Sequence, residues 1–364
     1  MSGRSLLVSI LALSCLLMVP FAFAQTLTPK FKVWPRTPQT NAAIATGTTT
    51  SVTVRHWSSS FTFNSNVYHY SMVGTNPSSG SATTTVSAEI QPLNFKFSDG
   101  HEIEANRVIT PLIDSPIFQK TSLPGGFGQL ADVEQRSNFH AIVAAKSPSY
   151  HVHLAQPLLL SSITVNVPAG SGGTQTLSNG TRIGLVDFAF MQQVVNGVLS
   201  ARDFNPTTLP ILLTGNVFEY ENMPSNCCVV GFHGAVSIEP GEIVTFVYTA
   251  YPSPGVFSGN FEDITAASHE VAEWMDDPFT NNVVPAWGDP SQPTVCVNNL
   301  LEVGDPIENF AKPAFSATVN GRTYHPQDIA FFSWFAHQKP SIGRNGQYSY
   351  ISPAKLAAPP PSCH

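Results

Sequence analysis

The chain has 364 residues, with 17 lysines and arginines against 24 aspartates and glutamates, and only 11% of its residues are charged. A mildly acidic chain without a basic patch argues against nucleic-acid binding, and its length suffices for one large domain or two smaller ones. Thirty prolines, 25 glycines and many Ser, Thr and Asn fit an extracellular β-rich protein.

In chain order, residues 1–24 read as a secretory signal peptide. Arg4 supplies the basic start, Leu6 to Phe23 the apolar run, and Ala22-Phe23-Ala24 a small-x-small cleavage site. The polar sequence that follows argues against an anchor. Cys15 has no leucine three positions before it, which argues against a lipoprotein site. No later segment has the length and apolarity of a membrane span, so the expected location is secreted or periplasmic. Residues 25–60, rich in Thr, Pro and Ser, read as an extended arm or linker.

Residues 61–200 form a β-rich region, either a separate domain or the first half of one. Residues 84–90 and 163–167 alternate like strands, and 130–139 read as a short helix. Gly170 to Gly173 read as a loop in a hairpin connection. Residues 186–201 carry apolar side chains at helical spacing. Residues 209–214, 229–236 and 243–250 read as strands. A helix over 261–276 stops before Pro278, and a second helix is expected over 327–337.

The sharpest feature lies within Ser268-His269-Glu270-Val271-Ala272-Glu273-Trp274-Met275-Asp276. On a helix, positions i and i+4 share a face, so His269 and Glu273 can grip one cation while Glu270 leans over it. This is the arrangement of the zinc-protease motif HExxH, with glutamate in place of the second histidine. An ordinary polar stripe on a surface helix is the competing reading. Against it stand the low overall charge and the apolar residues Ile264, Ala267, Val271 and Trp274 around the motif. A carboxylate among apolar walls needs a cation or a hydrogen-bonding partner. A third ligand is expected downstream, with Asp305 first and Glu302 as the alternative; Asp276, on the same helical face, competes with a turn or capping role.

The runs SHEVAEWMDDPF, AWGDP and EVGDPIE resemble the pattern of the plant Exordium-like (phosphate-induced) secreted proteins, and still more their bacterial secreted relatives. CCVVGFHGAVS upstream is similar to a cysteine-plus-GFH segment of that family. The resemblance covers residues 227–305, with weaker support from QDIAFFSWFAHQ. It implies a zincin-like fold with an HExxE site on His269, Glu270 and Glu273, completed by Asp305. The expected fold is therefore α+β: a zincin-like domain over 201–364, with a mixed sheet and a metal-site helix, behind the β-rich region.

One neutral histidine and two carboxylates neutralise a divalent cation and form a harder set than the usual zinc ligands. Zinc is the first expectation, with manganese or calcium beside it. Glu270 is expected to take a proton from a metal-bound water. His233, on a strand ahead of the motif helix, is a candidate oxyanion stabiliser or ligand, or else a hydrogen-bonded strand histidine. His325 reads as a helix-start residue. His151 and His153 share one strand face but lack a visible third partner. Four cysteines survive processing, and a bridge from Cys227 or Cys228 to Cys296 would tie the flanks of the motif helix together. Three functions fit: a metal-dependent hydrolase, most simply a peptidase acting on extracellular peptides; a non-catalytic protein binding a cell-surface or wall component; and a carbohydrate-active or adhesion module.

Overall fold

The computed structural model describes residues 27–34, 52–291, 296–352 and 354–360. The signal-peptide residues and Cys363 lie outside these.

Apolar residues dominate the central strands, which are buried on both faces, as strands at the middle of a covered sheet must be. Among the described residues, eleven strands join one mixed sheet: β1 (Lys30–Phe31), β2 (Ala88–Phe97), β3 (Glu102–Ile103), β4 (Leu158–Leu159), β5 (Ile163–Val167), β6 (Gly172–Thr176), β7 (Arg182–Asp187), β8 (Leu209–Gly215), β9 (Val217–Tyr220), β10 (Cys227–Glu239) and β11 (Glu242–Tyr251). The order is β4-β2-β8-β11-β10-β9-β7-β6, with β1 beside β10 and both β3 and β5 beside β2. β4, β2, β8 and β11 run parallel, and β10 is antiparallel to β11 and β9. Strands from before residue 200 thus flank, on both sides, the four contiguous strands from after it, within one mixed sheet of an α+β fold.

Helices cover both faces. On β11 the even positions Val244, Phe246 and Tyr248 meet Met191, Val195, Val198 and Leu199 of α2 (Phe188–Ala201). The odd positions turn the other way, as the two-residue strand period requires. There Val247 packs with Ala267, Val271 and Trp274 of α3 (Thr265–Asp276), and Trp274 Nε1 donates to Thr245 Oγ1 at 2.9 Å. A third helix, α1 (Leu130–Asn138), crosses α3 from outside. All twelve residues of α3 are buried, so its polar side chains must find partners inside the protein.

Several expectations need correction. The motif helix starts at Thr265, after Asp263 turns the chain with φ of 47°. The strand expected over 84–90 is two, Thr83–Val86 and β2, broken at Ser87; the first pairs with His151–Leu154 and the second with the main sheet. The loop expected over 170–173 ends at Ser171, because Gly172 and Gly173 open β6, and it joins no hairpin, because β5 pairs with β2 and β6 with β7. The helix expected over 327–337 shrinks to Phe332–Phe335. Ahead of it the chain is extended, with Ala330 N–H donating to Val303 O at 2.8 Å and Phe331 N–H to Tyr348 O at 2.8 Å. That run is buried all round, and periodicity cannot separate such a strand from a buried helix. Finally, Cys227 and Cys228 are bonded to each other, so neither is left to bridge Cys296.

Candidate metal centre

One helical turn aligns His269 and Glu273, and the imidazole Nε2 stands 3.1 Å from Glu273 Oε2. Beyond α3 a hairpin, Val283–Gly288 with Cys296–Leu300, returns the chain across the helix. It delivers Glu302, Gly304 and Asp305. Asp305 Oδ1 lies 3.5 Å from the same Nε2, and the ligand atoms of His269, Glu273 and Asp305 lie within 4.8 Å of one another. In a tetrahedral zinc site with bonds of about 2.0–2.1 Å, neighbouring ligand atoms stand about 3.3 Å apart. The donor atoms therefore have the spacing that a small divalent cation requires.

The residues fit a cation in a second way. His269 is fully buried, yet neither ring nitrogen completes a hydrogen bond. Leaving a buried polar atom unpaired costs about 1–3 kcal/mol, and a cation between Nε2 and the two carboxylates removes that cost at Nε2. Glu273 is oriented by its other oxygen, which accepts from Gly304 N–H at 3.0 Å. Hydrogen bonding to a ligating carboxylate is what fixes such ligands in place.

The other candidates fall elsewhere. Glu302 is buried beside His233, with Oε2 3.9 Å from Nε2, so Asp305 rather than Glu302 reaches His269. Asp276 turns towards α1, where Gln135 Nε2 and Asn138 Nδ2 donate to it; it joins helices. His325 Nδ1 meets Asp263 Oδ2 at 2.8 Å and Glu262 Oε1 at 3.1 Å, tying the segment after the strand Arg322–Tyr324 to the start of α3; no helix starts there. His151 and His153 converge on Asp132.

Glu270 points to β10, where His233 Nδ1 lies 3.2 Å from its Oε2 and 3.5 Å from Glu273 Oε2. His233 Nε2 lies 3.2 Å from the Asp277 carbonyl. A carbonyl only accepts, so Nε2 carries the ring proton and Nδ1 presents a lone pair to Glu270. Burial pushes the His233 pKa down to about 3, which keeps the ring neutral. Burial raises Glu270 well above the usual carboxylate range, and neighbouring Glu273, Glu302 and Asp305 add to it. The lone pair of His233 thus faces a carboxyl whose affinity for its proton is raised. His233 positions Glu270 and is fully enclosed.

Glu273, Glu302 and Glu308 are raised as well, by burial first and by mutual carboxylate repulsion second, Glu308 to about 8. Three buried glutamates, the partly buried Glu308 and Asp305 crowd one region, and no described lysine or arginine ion pair reaches it. Carboxyls so crowded and buried ionise only at a cost, which a bound cation would offset.

Two close approaches shape the site. A Cβ on Gly304 would lie 2.3 Å from His269 Nδ1, and one on Gly231 would lie 2.7 Å from Glu270 Oε1. These glycines stand in the GFH and EVGD runs, and contact with the motif side chains requires them. The sequence reads residues 25–60 as an extended arm or linker, but nothing in that reading placed it against the site. Phe31 stacks on His269 with ring centroids 3.3 Å apart and planes 5° from parallel, and Trp34 is buried against Phe232. The available signal was a pair of large aromatics within a Thr- and Pro-rich stretch. With the arm in place, the Asp305 side chain, 20% exposed, is the part of the ligand set open to solvent. Comparison with protein-family models, with curated proteins and with solved structures gave no match.

Proposed function

We propose that this protein is a zincin-like, metal-dependent hydrolase of the extracytoplasmic space, most simply a peptidase. The carrying observation is the buried imidazole of His269, without a hydrogen bond and facing Glu273 and Asp305 at 3.1 and 3.5 Å. His269, Glu273 and Asp305 would hold the cation, zinc first, with manganese or calcium compatible with the carboxylate-rich set. A divalent ion there supplies Lewis acidity and lowers the pKa of a bound water. Glu270, adjacent in the same helix turn and held by His233, serves as the base that receives the water's proton and passes it to the leaving amine. The resemblance of SHEVAEWMDDPF and EVGDPIE to the Exordium-like secreted proteins, and the signal-peptide pattern of residues 1–24, support export and an extracellular peptide or wall component as target.

A second reading draws on the burial of the site under Phe31. In it the same ion is structural, and the protein binds a cell-surface or wall component without turnover. Elemental analysis of the purified protein beside a Glu273→Ala/Asp305→Ala variant tests the site. The wild type is expected to hold one zinc or manganese more per chain than the variant; equal metal in both sinks it. Glu270→Gln then separates the readings. Loss of peptide hydrolysis with metal retained supports the hydrolase, and absence of hydrolysis by the metal-loaded wild type across a peptide library supports the binding protein.

A further inference from the structure

We propose a second cation site, formed by Asp132, His151 and His153 and suited to zinc or a similar first-row divalent ion. His151 and His153 alternate on the strand His151–Leu154 and therefore project from one face. Their rings lie 5.1 Å apart, 27° from parallel. The fold supplies the partner that the sequence leaves invisible: Asp132, in the first turn of α1, fully buried beneath them. His151 Nδ1 lies 2.9 Å and His153 Nε2 3.6 Å from the same oxygen, Asp132 Oδ2. The three ligand atoms fall within 4.8 Å of one another.

A plain ion pair explains one histidine. The carboxylate takes the His151 N–H and, on Oδ1, the Val152 N–H at 3.0 Å, while His153 Nε2 stands beyond hydrogen-bond reach. Neutral imidazole is the form that ligates metals. The Val152 N–H fixes the carboxylate and leaves Oδ2 directed at both imidazoles, the kind of outer support that ligating carboxylates carry. Gly128 lets the neighbouring turn approach, since a Cβ there would lie 3.1 Å from Asp132 Oδ2. Two nitrogens and one carboxylate favour zinc and its neighbours over calcium or magnesium. With His151 29% and His153 18% exposed, an ion between them stays open to solvent on one side. Lys120 places positive charge near His153, which a bound cation must offset.

The test is zinc binding by calorimetry to chelator-treated protein, with zinc chloride as the probe. The Glu273→Ala/Asp305→Ala variant is expected to retain one zinc per chain, and adding His151→Gln/His153→Gln is expected to abolish it. Both histidines are partly exposed, so these changes leave the fold intact by circular dichroism. Should the first variant misfold, His151→Gln/His153→Gln alone must bind one zinc fewer than wild type. Unchanged zinc after loss of both histidines overturns the proposal. Failure of the His269 centre has a different signature: the Glu273→Ala/Asp305→Ala change then leaves zinc binding as in wild type.

Discussion

At Gly304 a single methyl group decides whether His269 keeps its place. A Cβ there meets Nδ1, Cε1 and Cγ of the imidazole at 2.3 to 2.7 Å, and the ring is also stacked on Phe31. Gly304→Ala is expected to destabilise the protein by about 1–3 kcal/mol, as overpacking of a filled core does, and to weaken metal binding; denaturant unfolding and metal titration measure the two effects. Glu219 offers a residue-scale prediction away from the site. It is fully buried, accepts from Tyr248 OH at 2.5 Å, and burial raises its pKa from 4.5 to about 8. The folded state therefore holds a proton that the unfolded chain releases. This group's stabilisation is fully present below about pH 4.5 and is lost as the pH rises through about 8, with a slope of about 1.4 kcal/mol per pH unit at most. Glu219→Gln should flatten that part of the curve, read as the urea midpoint from pH 4 to 9. Among site residues, His269 and Glu273 were legible because helical spacing fixes their common face. Asp132 was not, because nothing in the sequence links a helix residue to a strand that begins at His151. His233 was placed on the right strand, but its contact with Glu270 comes from tertiary packing.

Helix α3 depends on how its far end is held. Asp277 accepts from Asn281 N–H at 2.9 Å and Asn282 N–H at 3.0 Å. Asn282 Nδ2 in turn donates to Asp276 O at 2.6 Å and Ser71 O at 2.8 Å, and its Oδ1 accepts from Ser71 N–H at 2.8 Å. One buried amide thus joins the helix end to the strand Asn66–Val73. Asn282→Ala removes three hydrogen bonds and strands their backbone partners, so a loss of about 2–4 kcal/mol is expected in chemical unfolding. The elements themselves were largely readable: β5 falls on residues 163–167 as the alternation predicts, and α1 ends one residue short of the reading. The C-terminal segment is the exception, with a helix only over Phe332–Phe335. Ile329, Ala330 and Phe331 are buried on every side, so polarity gives no period to read.

The whole molecule interleaves its sequence. Ala88 pairs with Leu209, Ile211 with Val247, and Lys30 with Val229, pairings that no local pattern announces. The arm is part of this: Trp34 is 2% exposed, and Trp34→Ala is expected to cost about 3–5 kcal/mol, measurable as a fall in thermal midpoint. The same interleaving bears on timing. Contacts between distant parts of a chain are slow to form, because loop closure comes before its reward. The motif turn His269 to Glu273 can fold locally, but Phe31 and Asp305 reach it only after the sheet has closed from both ends. A chain still growing, or one clipped ahead of Asp305, carries the motif without the means to keep an ion. Metal capture is therefore a late event that reports the completed fold, and uptake kinetics after refolding should follow the slowest sheet-forming phase with no earlier burst.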